Sequence, residues 1–284
     1  TRRNCGDDSM LVGYLGPKGS FSHQVAQKAF PEAHLEPYPN ITEVIKAYER
    51  GQVDLSIVPV ENSIEGSVHE TLDYLFHQSQ IQAVAELIQP IKQQLLACQT
   101  DGPIETIFSH PQALAQSKIY ILEHYPYAKL EVTASTAAAA RLVAEHPEEP
   151  YAAIAPETAA EEYGLQLVAR DIQEMSENFT RFWVLGPKKP EFALEKHAPK
   201  QTLGLTLPDN LPGALYKALS VFAWRGIDLT KIESRPLKTA LGEYFFIIDV
   251  NGEQESLLQF ALEELTAIGI TYKIIGQYSV HLIA

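Results

Sequence analysis

Across the first 190 residues, short apolar stretches alternate with helical ones, and each apolar stretch runs into a polar cluster. Leu11-Val12-Gly13-Tyr14-Leu15 reads as a buried strand that gives way to the loop Gly16-Pro17-Lys18-Gly19-Ser20. A helix capped by Ser20 or Ser22 then continues through Val25 and Ala26 to Phe30. Leu55 to Val60 is a second strand, ending in Glu61-Asn62-Ser63, and Val68, Leu72 and Leu75 place a helix after it. Ile104 to Phe108 delivers Ser109-His110-Pro111-Gln112 and a helix through Ala115, Ile119 and Leu122. Val132-Thr133 leads to Ser135-Thr136 and an alanine-rich helix, and the strand Tyr151 to Ile154 precedes Thr158-Ala159-Ala160. This recurrence is the mark of an α/β fold. It also gathers polar residues where strands end and helices begin, the place where open α/β sheets bind ligands.

The pattern changes after residue 186. Pro187-Lys188-Lys189-Pro190 through Pro199 is charged and proline-punctuated, which marks a linker. Beyond it the order is β-α-β-β-α-β, a ferredoxin-like succession. Its strands are Leu203–Leu207, Leu229–Ser234, Tyr244–Val250 and Ile270–Tyr278. Leu211, Leu215, Ala218, Leu219 and Phe222 share one helical face, and Leu258, Ala261, Leu262 and Leu265 another. A half-sheet of this kind commonly pairs with a copy of itself. A length of 284 residues agrees with two domains.

The net charge of −14 argues against non-specific binding to nucleic acid or an anionic membrane. Local cations and helix N-termini can still hold a small anion. Two cysteines, Cys5 and Cys98, supply neither a disulfide framework nor a thiolate metal site, and Cys98 reads as a buried small apolar residue. No apolar run approaches a membrane span, and the polar leader before Met10 carries no secretory signal, so the expected location is cytoplasmic.

Four clusters could carry chemistry. Gly16 to His23 offers backbone amides, two hydroxyls and Lys18 at a helix start, suited to a carboxylate or to a plain capped turn. In Glu61-Asn62-Ser63-Ile64-Glu65-Gly66, Asn62 or Ser63 could cap the next helix or bind a ligand. His110 could be a general base or a local hydrogen-bonding residue, and Gln112 and Gln116 share a helix face. Asn178-Phe179-Thr180-Arg181-Phe182-Trp183 is the densest cluster: Arg181 could pair with a carboxylate, or the stretch could be a core strand.

Taken together and in order, these segments resemble the prephenate dehydratases. The resemblance rests on Gly16-Pro17-x-Gly19-Ser20-Phe21-Ser22, Pro59-Val60-Glu61-Asn62-Ser63-x-Glu65-Gly66, Ser109-His110-Pro111-Gln112 and Asn178-x-Thr180-Arg181-Phe182. Gly213-Ala214-Leu215 and Glu233-Ser234-Arg235-Pro236 resemble the phenylalanine-binding motifs of the family's regulatory ACT domain. Glu174 stands where an aspartate is common, and Tyr216 where valine is usual.

The resemblance implies a two-lobed catalytic domain like type II periplasmic binding proteins over residues 10–190. One lobe would take about 10–87 and 172–190, the other about 88–171. A linker at 191–201 and an ACT domain at 202–284 would follow. It further implies loss of water and carbon dioxide from prephenate to give phenylpyruvate, with no cofactor or metal. Thr180 would assist the departing hydroxide. Ser20, Phe21, Glu61, Asn62, Ser63, Ser109, Gln116, Arg181 and Phe182 would bind or enclose substrate. Phenylalanine would bind Gly213, Ala214, Leu215, Glu233, Ser234, Arg235 and Pro236 as feedback effector, in a homodimer or homotetramer. An arogenate dehydratase and a non-enzymatic solute sensor are the alternatives. A fused chorismate mutase is not expected, because no helical segment precedes residue 10.

Overall fold

The computed structural model describes residues 9–208, 212–237 and 243–284. Cys5 and Leu211 lie outside them. The chain packs as two compact units, one holding the residues up to Val68, Ile88–Phe182 and Ile283–Ala284, the other His69–Leu87 and Trp183–Leu282.

The first unit opens with β1 (Leu11–Leu15), α1 (Phe21–Ala29), β2 (His34–Tyr38), α2 (Ile41–Glu49), β3 (Leu55–Asn62) and the short β4 (Gly66–Ser67). The chain leaves it through α3 (His69–His77) and returns along β5 (Ala83–Pro90). Next come β6 (Gln94–Ala97), β7 (Thr106–Ser109), α4 (Pro111–Gln116), α5 (Lys118–His124), β8 (Lys129–Val132) and α6 (Thr136–Glu145). They are followed by β9 (Tyr151–Ala155), α7 (Glu157–Tyr163), β10 (Gln166–Ala169) and β11 (Phe179–Leu185).

Two sheets result. In one, β1 lies parallel to both β2 and β3, β11 borders β3, and β4 pairs antiparallel with β3. The other runs β10-β6-β9-β7-β8, with β7 parallel to β8 and β9, and β6 antiparallel to β9 and β10. Burial on both faces explains the near-continuous apolar run of β9, whose Ala152–Ala155 are wholly buried.

The second unit has the expected β-α-β-β-α-β succession: β12 (Glu195–Thr206), α8 (Ala214–Ala223), β13 (Leu229–Pro236), β14 (Tyr244–Asn251), α9 (Glu255–Ala267) and β15 (Thr271–Leu282). Its strands lie in the order β13-β14-β12-β15, with β5 beside β15. Leu203, Leu205, Ile248 and Val250 meet Phe222, Leu258, Leu262 and Leu265 of the two helices in one core. Alternation turns Gly204 and Phe245 to the opposite face, where α3 packs. Phe76 stacks on Phe245 with ring centroids 3.9 Å apart. A Cβ on Gly204 would stand 2.4 Å from the Phe76 ring, so that approach requires glycine. Residues 69–87, expected in the first lobe, therefore pack with the C-terminal unit.

Other differences from expectation have local causes. The linker expected at 191–201 is largely strand, since Glu195–His197 pair with Val280–Leu282. Pro199 is tolerated because it sits at the register shift between His197 and Lys200. The single helix expected after Pro111 breaks at buried Ser117, whose N–H bonds both the Ala113 and Leu114 carbonyls. That break leaves Ala115, Ile119 and Leu122 exposed and buries Ala113, Leu114 and Ile121 instead. Cys98 is half-buried rather than buried, with its Sγ 3.5 Å from the Val143 carbonyl.

Candidate active site

A cavity of about 310 Å³ opens within the first unit where the two sheets' polar strand ends meet. Leu15, Phe21, Asn62, Thr180 and Phe182 line it from the first sheet and α1, and His110, Gln112, Gln116, Ser135 and Thr136 from the second. Neither lysine nor arginine appears among the lining residues.

Its centre is a hydrogen-bond network. Asn62 Oδ1 accepts from the Ile64 and Glu65 N–H groups at 2.9 and 3.1 Å, closing the turn between β3 and β4. Asn62 therefore closes a turn and caps no helix; α3 starts only at His69. Those two donors fix the orientation of the amide, so its nitrogen faces the other way. Asn62 Nδ2 donates to Thr180 Oγ1 at 2.9 Å and to Asn178 Oδ1 at 3.0 Å. Since the Thr180 oxygen accepts from Asn62, its own proton is available to a group in the cavity.

Strand alternation sorts the rest of β11. Thr180 and Phe182 line the cavity, while Arg181 between them turns to the other face. There it pairs with Glu61 Oε2 at 3.0 Å, with the two side chains 16% and 27% exposed. This pair ties the neighbour of Asn62 to the neighbour of Thr180. We expect Arg181→Met to lower kcat by roughly five- to tenfold, the effect of about 1 kcal/mol of lost positioning, with KM little changed. A KM rise of ~100-fold in steady-state assays would instead make Arg181 a carboxylate ligand.

Several expected site residues serve the walls. Ser20 caps α1, its Oγ accepting from the His23 N–H at 3.1 Å and donating to the Leu15 carbonyl at 3.1 Å. Ser109 is fully buried and donates to the Ile154 carbonyl at 2.7 Å. Ser63 Oγ accepts from the Phe179 N–H at 2.9 Å and braces the start of β11. His23 Nδ1 accepts from the Gly19 N–H at 2.8 Å, and burial pushes its pKa down, keeping that acceptor neutral. His110 Nδ1 likewise accepts from the Gln112 N–H at 3.2 Å, which places the ring proton on Nε2. Ser22, Gln93, Ser135, Thr136 and Asn178 also line the cavity but were not singled out from sequence as site residues. Ser135 caps α6, its Oγ accepting from the Ala138 N–H at 3.0 Å.

In the second unit, Gly213 takes a left-handed φ of 71° at the head of α8. Glu233 and Arg235 are engaged with α3: Glu233 Oε1 lies 3.1 Å from His69 Nε2, and Arg235 grips Asp73 with two bonds of 3.1 and 2.8 Å. Ser234 and Pro236, which alternate with them, are exposed. Among the described residues no cluster could hold a metal ion, and no helix is long and apolar enough to cross a membrane.

An α/β cavity walled by an Asn–Thr network and framed by helix starts makes the first unit the seat of the candidate active site. Residues 12–190 match the model of the family described as prephenate dehydratase. The prephenate dehydratase of Lactococcus lactis subsp. lactis is 53% identical over 274 residues, covering 96% of this chain and 98% of the relative. The crystal structure of prephenate dehydratase from Streptococcus mutans is 48% identical, covers 96% of this chain and all of that one, and superposes with a TM-score of 0.64. That from Arthrobacter aurescens, in complex with L-Phe, is 33% identical over 94% of this chain and 89% of its own, with a TM-score of 0.82. The chain belongs to the prephenate dehydratase family.

Proposed function

We propose that the chain is a carbon–oxygen lyase that converts prephenate to phenylpyruvate, water and carbon dioxide, under feedback by phenylalanine. The observation that carries this reading is the Asn62–Thr180 hydrogen bond, which leaves the proton of the cavity-lining Thr180 hydroxyl available to a substrate oxygen. Prephenate carries a ring hydroxyl and two carboxylates. As the carboxylate on the ring leaves as carbon dioxide, its electron pair enters the ring and expels hydroxide, which takes up a proton to become water. Thr180 stabilises the departing oxygen by donating to it, and His110, whose Nδ1 is an acceptor, offers a second donor from Nε2.

Since no lysine or arginine lines the cavity among the described residues, the carboxylates are met by neutral donors. The first turns of α1 and α6, represented at the wall by Phe21, Ser22, Ser135 and Thr136, carry partial positive charge. Phe21, Phe182, Leu15 and Ile91 make part of the wall apolar, beside the polar side chains and Glu65. Such a surround disfavours a carboxylate relative to neutral carbon dioxide, which helps the decarboxylation.

In this reading the two sheets of the first unit are the two lobes of a periplasmic-binding-protein-like domain, and the β-α-β-β-α-β unit is a ferredoxin-like ACT domain that binds phenylalanine as a homo-oligomer. Glu233 and Arg235, expected as effector ligands, we assign to holding α3. The effector itself would sit at Gly213-Ala214-Leu215, where the glycine lets backbone approach the ligand. Purified protein should form phenylpyruvate from prephenate, and phenylalanine should suppress that rate. Faster turnover of arogenate would transfer the assignment to the aminated substrate, and no turnover of either would favour a solute sensor.

A further inference from the structure

Gln93 stands at the crossover from β5 to β6, where the chain passes from one half of the first unit to the other. Its backbone is held on both sides: the N–H donates to Gln173 Oε1 at 2.8 Å, and the carbonyl accepts from the Ile172 N–H at 2.9 Å. Its side chain is only 3% exposed and lines the cavity. Yet its Oε1 has no hydrogen-bond partner among the described residues. The next residue shows what a structural amide does in the same place. Gln94 donates from Nε2 to Asp171 Oδ1 and accepts from the Asp171 N–H, both at 3.0 Å. A buried polar group left unpaired destabilises the unliganded fold, and native proteins keep such groups rarely. An unpaired amide in the wall of a cavity is one a ligand can satisfy.

We infer that Gln93 is a substrate-binding residue whose terminal amide donates to a carboxylate oxygen. The inference rests on the reading of the cavity as a dicarboxylate site. A carboxylate offers only acceptors, and among the described residues no lysine or arginine lines the wall. Turning the amide about its last torsion presents Nε2 in place of the orphaned oxygen.

The test compares wild type, Gln93→Met and Gln93→Glu by prephenate kinetics and by unliganded melting temperature. Methionine keeps the length and removes the polarity. It should raise KM roughly tenfold with kcat little changed, while the melting temperature holds or rises because the unpaired amide is gone. Glutamate should raise KM by ~100-fold, because it sets a second anion against the substrate. A lower melting temperature for Gln93→Met with unchanged KM would make Gln93 a structural residue and overturn the inference. Wild-type KM in Gln93→Glu would overturn the donor role. If wild type itself does not turn over prephenate, the dicarboxylate reading fails separately. The unliganded melting temperature of Gln93→Met then still decides whether the amide serves the fold or a ligand.

Discussion

Thr180→Ala should lower kcat by roughly 10²–10³-fold, the loss measured when one preorganised donor to a developing oxyanion is removed, about 3–4 kcal/mol. Binding should survive, because the helix starts and apolar walls are untouched. The change also frees Asn62 Nδ2 from one acceptor, but Asn178 Oδ1 at 3.0 Å and the Phe179 carbonyl at 3.3 Å still hold it. The wall therefore keeps its shape, and the variant isolates the hydroxyl. Thr180→Ser should retain most of the rate, since it keeps the donor and loses only a methyl. Single-turnover assays with prephenate, paired with equilibrium binding of phenylpyruvate, check both statements. Turnover within about threefold of wild type in Thr180→Ala would remove Thr180 from the chemistry, since 1.36 kcal/mol already corresponds to tenfold.

The parts of this molecule legible in its sequence are those fixed by local periodicity and by chain order. β1 and the buried face of α9 follow from spacing alone, and the sequence narrows the cap of α1 to Ser20 or Ser22, of which the fold uses Ser20. Thr180 and Phe182 could be placed together on one strand face, but the partner of Arg181 could not, because Glu61 is 120 residues away. Gln93 escaped notice for a related reason. Pro90 to Gln94 carries no helical or strand period, and only the folded chain shows that one glutamine there is paired and its neighbour is not. The role of α3 was hidden as well. Its apolar residues Leu72 and Leu75 fit packing against either unit, and the choice depends on Gly204 and Phe245 far along the chain.

The position of α3 sets the second large effect. Val68 lines the cavity, and His69, the next residue, already pairs with Glu233 of β13. One turn on, Arg235 holds Asp73 with both side chains only 13% exposed. At the other end of the helix, Lys273 Nζ donates to the Leu75 and Phe76 carbonyls at 2.8 Å each and also to Ser79, closing its C-terminus. A shift of β13 must carry α3 with it, and α3 is continuous in the chain with the cavity wall at Val68. On the proposed function, α3 is the element through which a bound effector and a bound substrate would influence each other. Arg235→Leu alone should destabilise the C-terminal unit by about 3 kcal/mol, the lower end for breaking a buried pair, because Asp73 is left uncompensated. The double change Arg235→Leu with Asp73→Leu should recover most of that stability, since it removes both charges together. It should not recover regulation: phenylalanine should still bind and raise the melting temperature, yet inhibit prephenate turnover far less than in wild type. Scanning calorimetry with and without phenylalanine, run beside the inhibition curve, separates the two effects. Full inhibition in the double variant would show that the signal reaches the cavity by a route other than this ion pair.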